Sequence, residues 1–123
     1  MELRANVTDS NIYKIYAKVL NSKFELSERA LDIFASLLKI QISWPKVITS
    51  INVTDSRSRK QIMSETLVNK NNLSKYLRIL REHKILVYNT NKDGWIINNN
   101  LIPIIVNNTI NVTFTLIKQT RNE

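Results

Sequence analysis

The stretch from Asp55 to Trp95 constrains the fold most, because its residue spacing predicts helix, turn, helix and hairpin in close succession. Thr54, Asp55 and Ser56 are helix-capping residue types, and Arg57 to Glu65 follows with Ile62 and Met63 as apolar positions. Thr66 to Asn72 then holds Asn69, Lys70, Asn71 and Asn72. Asparagine side chains compete with helical backbone hydrogen bonds, so a break is expected there. From Leu73 onward Leu73, Tyr76, Leu77 and Leu80 make one apolar stripe, with Ser74, Lys75, Arg78 and Arg81 pointing the other way. Ile85 to Tyr88 and Trp95 to Ile97 have the make-up of short strands around Asn89 to Gly94, and Asp93-Gly94 is a hairpin signal.

Charge is concentrated in the same stretch. Arg57, Arg59, Lys60, Lys70, Lys75, Arg78, Arg81 and Lys84 stand against Glu65 and Glu82, which places six of the chain's eight net positive charges between Arg57 and Lys84. Such a surplus attracts a phosphate backbone, although a solvated helix face is the bland reading of each residue taken alone.

The remaining composition narrows the class. The 123 residues, 43% hydrophobic, suit one globular domain able to bury a core without disulfides or metals. No cysteine is present, which removes thiolate ligands and fits a reducing compartment. Met1 to Ser10 lacks the apolar core of a signal peptide, and no run approaches the roughly 18 apolar residues of a membrane span. A soluble, cytoplasmic protein is expected, in the host cytoplasm if the chain is viral. Abundant Asn, Ile and Lys beside one glycine suit an AT-rich coding genome, of the kind found in many bacteriophages and low-GC bacteria.

Ahead of the basic stretch, Thr8, Asp9 and Ser10 are capping residues before the stripe Ile12, Ile15, Tyr16, Val19 and Leu20, and Asn21, Ser22 and Lys23 are expected to end that helix. The five residues Asn6 to Ser10 recur as Asn52 to Ser56, read as two independent uses of one good cap because nothing downstream matches. Ser27 is placed to cap a longer helix, Glu28 to about Ile42, with Leu31, Phe34, Leu37 and Leu38 on one face and Ile33 and Ile40 widening it. A helix this apolar is expected at the centre of the core. Trp44-Pro45 stops it. Val47, Thr49, Ile51 and Val53 alternate as a short strand does, with a helical turn after Pro45 as the alternative. Beyond the hairpin, Asn107-Asn108 suits a tight turn, and Val112, Phe114 and Leu116 alternate with Thr113 and Thr115 as in a half-buried strand over Asn111 to Lys118.

A short helix, a polar turn, an amphipathic helix and a hairpin resemble a winged helix-turn-helix. The run from Arg59 to Leu86 is similar to that of winged-helix transcription regulators and of plasmid or phage replication initiators, in which a Leu-Ser or Val-Ser pair, here Leu73-Ser74, opens the recognition helix. Gly94-Trp-Ile-Ile-Asn-Asn-Asn-Leu-Ile-Pro103 is similar to the ending after the wing in some initiators. The resemblance implies an α+β fold over 1–123: an N-terminal helix extension (1–26), a winged-helix core (27–100) and an extra C-terminal β-strand (101–123). It implies a recognition helix at about 71–83 in the major groove and a wing over 85–97. Asn71, Asn72, Ser74, Lys75 and Arg78 would face the DNA, with Arg78 on guanine and Lys75 on phosphate. Arg57, Arg59 and Lys60 would lie by the flanking backbone, with Lys70 and Arg81 in the same basic surface and Lys92 at the wing tip. The chain departs from the pattern in having one wing glycine, a long turn without glycine, and no catalytic or ATP-binding segment.

Catalysis finds little support. His83, the only histidine, falls at the end of the basic helix, where a cation complements the helix dipole. Glu25, Glu28 and Asp32 suit the amino end of the central helix better than a metal site. Trp44, Trp95 and the tyrosines are scattered through several elements, which suits packing more than a stacking platform for single strands. With Gly94 the sole glycine, a phosphate loop is excluded. No cofactor, metal or small-molecule substrate is expected. Double-stranded DNA is the expected partner, for a transcription regulator or replication factor that dimerises through the first helix or the last strand. The alternative is a protein-interaction module, such as a phage virion component, on the same scaffold.

Overall fold

A computed structural model describes residues 4–43, 52–91, 93–113, 115 and 118. Its architecture is α+β, with four helices, a two-stranded antiparallel sheet and a second small hairpin. The helices are α1 (Ile12–Phe24), α2 (Glu28–Ser43), α3 (Ser56–Thr66) and α4 (Lys70–Glu82). Strands β1 (Leu86–Asn89) and β2 (Gly94–Ile97) form the sheet, and β3 (Ile105–Val106) with β4 (Thr109–Ile110) forms the separate hairpin. This order is consistent with a winged-helix-like layout preceded by one additional helix.

Helix α2 is central because its sequence is apolar around most of its circumference. Leu31, Ile33, Phe34, Leu37, Leu38 and Ile40 are all buried, and α1, α3, α4 and β2 each pack against α2. Leu73, Leu77 and Leu80 of α4, Ile62 of α3, and Ile85, Leu86 and Ile97 from the hairpin fill the other side of one continuous core. Polar ties fix the rim. The Gln41 side-chain Oε1 accepts from the Ile97 amide at 2.7 Å, and the Tyr16 hydroxyl donates to the Leu101 carbonyl at 2.8 Å. Ser36, buried on α2, donates to the Glu65 carboxylate of α3 at 2.7 Å, and Lys39 reaches the same carboxylate at 3.1 Å.

Several boundaries differ from expectation for local reasons. Helix α1 runs past Asn21 to Phe24 and ends at Glu25 in left-handed conformation, while the Asn21 side chain bonds both the amide and the carbonyl of Leu26. The break between α3 and α4 is only residues 67–69, shorter than Thr66 to Asn72, because the Asn69 side chain accepts from the Asn72 amide at 2.8 Å and starts α4 at Lys70. Asp93 carries the positive φ of 51° in the hairpin turn, and Gly94 is already in β2. Val53 donates to the Trp95 carbonyl at 2.9 Å, a single bond on the flank of the sheet; the rest of the strand expected from Val47 lies outside the described residues, as does Trp44.

The C-terminal extension does contain strands, at a different place from the alternation over Asn111 to Lys118. Among the described residues of 111–118, namely 111–113, 115 and 118, none is in a strand. Pairing occurs earlier, where Asn107 and Asn108 take φ values of 51° and 59° and close a two-residue turn that joins β3 to β4. That hairpin pairs with no strand of the first sheet. Among the described residues the pairing ends at Ile110.

Two outcomes follow from this packing. Phe34→Ala, which empties a fully buried aromatic site, lowers unfolding free energy by about 3–5 kcal/mol in urea titration; a loss within the range of surface variants contradicts the central place of α2. Burial pushes the Glu65 carboxyl up, but hydrogen bonds from Ser36 and Gln61 and the Lys39 ammonium bring it below the ordinary 4.5. The unfolded chain then binds the proton more readily than the folded one, so this contribution is complete above pH 4.5 and is lost as pH falls through the folded value. Glu65→Gln flattens that part of the acid limb of a stability-against-pH curve, and superimposable limbs refute the assignment.

Candidate nucleic-acid interface

Helix α4 is a strongly amphipathic helix with a dry side and a polar side. Leu73, Leu77 and Leu80 face the core, whereas Asn71, Ser74, Lys75 and Arg78 recur at helical spacing on the opposite, exposed side. Lys70 and Asn72 are exposed in its first turn. Ahead of it, Asp55 caps α3 by accepting from the Ser58 amide at 2.8 Å, and Arg57 and Lys60 are exposed on the side of α3 away from the buried Ser58, Ile62 and Thr66. The α3–α4 corner is held by Leu67, left-handed at φ 58°, and by Arg29, which donates to the last-turn Thr66 carbonyl at 2.8 Å.

Two arginines behave differently from the rest. Arg59 is half-buried; its Nε donates to the Thr54 carbonyl at 2.8 Å and its Nη1 to the Ser74 hydroxyl at 3.3 Å, so α3 and the exposed side of α4 are bridged. Arg81, expected to point into solvent, instead lies over the Trp95 ring, with Cζ 4.5 Å from the ring centroid. Trp95 is itself held edge-on by Tyr88 across the hairpin, the ring centroids 5.6 Å apart, and the Tyr88 hydroxyl bonds the Asp93 carboxylate. Burial first, and then the neighbouring Arg59 cation, pull the Arg81 guanidinium below its ordinary value. Its Nε is shielded from solvent without a hydrogen-bond partner. Lys92 lies outside the described residues.

The distribution of carboxylates separates this surface from the other side of the molecule. On α1 and α2 three of the five cations are matched: Lys14 pairs with Glu28 at 3.0 Å and with Asp32, Lys18 with Glu28 at 3.8 Å, and Lys39 with Glu65, while Lys23 and Arg29 have no carboxylate partner among the described residues. Lys14 thereby lowers the Glu28 carboxyl, and the acidic patch is engaged by lysines across the helix pair. On α3 and α4, among the described residues, Arg57, Arg59, Lys60, Lys70, Lys75 and Arg81 have no carboxylate within ion-pair distance, and Arg78 has only Glu82 at 3.9 Å. No protein-family model, curated protein or solved structure matches the chain, so the geometry stands without a relative beside it.

The structure thus joins Arg59 to Ser74 and Arg81 to Trp95, lines up Asn71, Ser74, Lys75 and Arg78, and leaves Arg57 and Lys60 on the neighbouring helix. His83 is the C-cap of α4, and its ring meets Phe24 edge-on at 6.2 Å. Sequence spacing had no means of joining Arg81 to Trp95 or Arg59 to Thr54, since each pair meets only after the chain has folded. Among the described residues no group of His, Asp and Glu is arranged to hold a metal, and no helix is long and apolar enough to cross a membrane.

Exposure separates folding from surface chemistry. Lys75→Ala and Arg78→Ala each stay within about 0.5 kcal/mol of the parent in urea unfolding, while Asn69→Ala, which removes the α4 cap, costs about 1 kcal/mol. The reverse order in the same titration contradicts the assignment of these roles.

Proposed function

We propose that this chain is a non-enzymatic double-stranded DNA-binding protein of winged-helix type, acting as a transcription regulator or replication factor. The observation that carries the reading is the unmatched positive charge of α3 and α4, set against the paired cations of α1 and α2. In this reading α4 enters the major groove and the β1–β2 hairpin is the wing. Asn71, Asn72, Ser74, Lys75 and Arg78 meet base edges and phosphates, with Arg78 suited to the two acceptors of a guanine. Arg57, Arg59, Lys60 and Lys70 line the approach to the flanking backbone, and Lys92 belongs to the wing. DNA binding of this kind fits a cytoplasmic protein.

A second reading, a protein-interaction module or virion component, draws on the β3–β4 hairpin. Ile104 is 78% exposed and Val106 58%, beside strand edges that pair with nothing else among the described residues. The same feature serves a homodimer through the C-terminal element, with α1 as the other route.

A shift assay on random duplexes separates the two readings. Retardation at low salt that weakens by orders of magnitude between about 50 and 200 mM salt is expected, together with loss of binding in a Lys75→Glu, Arg78→Glu variant that unfolds like the parent. A folded parent that fails to retard any duplex at low salt rules out the DNA reading and leaves the interaction module.

A further inference from the structure

Arg59 and Arg81 occupy a position that the proposed groove contacts do not explain. Arg59 approaches α4 at Ser74, and Arg81 stands two turns further along the same side, about 10 Å of helix away. Two long side chains on the same side of α4 can span that interval, and the Arg59 cation opposes the charge on Arg81. Among the described residues no carboxylate lies within ion-pair distance of either guanidinium. Further donors are unused or only lightly used. The Arg81 Nε is shielded from solvent, but its terminal amino groups are not, and Ser74 is exposed. Trp95 holds the Arg81 guanidinium as a flat plate, which reduces the freedom it would lose on gripping a ligand.

We propose that Arg59 and Arg81 together clasp one phosphodiester of the DNA backbone at the junction of α3, α4 and β2, with the Ser74 hydroxyl as a third donor. This deepens the DNA-binding reading and rests on it. A phosphodiester suits the place because its two non-bridging oxygens share a full negative charge and can accept from a guanidinium amino group on each side. The site borders Ser74, Lys75 and Arg78, so a strand whose bases face that stripe carries its backbone past the clasp. Held there, one phosphate ties the recognition helix to the hairpin and fixes the register of both on the duplex.

The test is a double-mutant cycle on the salt dependence of duplex binding, with Arg59→Gln, Arg81→Gln and the double variant measured by fluorescence anisotropy. One shared phosphate means that the double variant lowers the slope of log Kd against log salt by about 0.9, the share of one phosphate, and that the two single losses in affinity are non-additive. A fall of about twice that with additive losses assigns the arginines to separate phosphates and overturns the clasp. An unchanged slope also overturns it. If the glutamine pair does not fold, Arg59→Lys with Arg81→Lys keeps charge and stem while removing the forks, and the same non-additivity is required in Kd. Binding that survives in the double variant with an unchanged slope but vanishes in Lys75→Glu, Arg78→Glu brings down the clasp alone; a parent that binds no duplex brings down both.

Discussion

The burial of the α2 apolar band is the interaction that the rest of the structure depends on. Phe34, Ile33, Leu37 and Leu38 are fully excluded from water, and each such side chain contributes about 1.5–3 kcal/mol on transfer from solvent. Helices α3 and α4 are short and rich in charge, and a helix of that length is marginal by itself. They persist because Ile62, Leu73, Leu77 and Leu80 share the core with α2. The hairpin is attached in the same way, through Ile85, Leu86 and Ile97, with the Gln41 side chain completing a hydrogen bond that the edge of the sheet would otherwise lack.

Charge is arranged on top of this core with two different outcomes. The Lys14, Glu28 and Asp32 group and the Lys39–Glu65 pair are partly or largely solvated, so they add little to stability, but they cancel the local field on their side. On α3 and α4 only Arg78 has a carboxylate within ion-pair distance among the described residues, and the surplus positive potential extends over about one Debye length, roughly 8 Å at physiological salt. The asymmetry bears on the partner and its approach more than on the fold. Arg59 and Arg81 are the extreme case, because the Arg59 cation opposes the charge on Arg81 and neither has a carboxylate partner among the described residues.

The sequence was most legible where a hydrophobic period ran for several turns. The stripe of α2, the core side of α4 and the hairpin were readable because burial demands them at fixed spacing, and the structure buries the α2 residues expected. Boundaries were less legible, since they depend on which neighbour satisfies the terminal backbone groups. The repeated pentapeptide makes the point: Asp55 caps α3 through its side chain, whereas Asn6 to Ser10 precedes a helix whose N-cap, Asn11, makes no side-chain capping bond. Identical local sequence met different surroundings. In the C-terminal extension the described strands are Ile105–Val106 and Thr109–Ile110, which period two did not single out because it cannot say where a partner edge is present. Within the candidate interface, exposure of Asn71, Ser74, Lys75 and Arg78 followed from the α4 stripe, but the place of Arg81 was set by Trp95, whose approach no periodicity encodes.

Leu67 has a consequence for how the two basic helices are held. It adopts left-handed backbone at φ 58° and is 85% exposed, so neither residue preference nor burial of its own favours that conformation. The turn is closed instead by the backbone bond from the Leu67 amide to the Met63 carbonyl at 2.9 Å and by Arg29, which donates to the Thr66 carbonyl. A glycine would meet the same conformation without a Cβ penalty. With leucine there, the mutual orientation of the two basic helices draws on the core packed on either side of the corner.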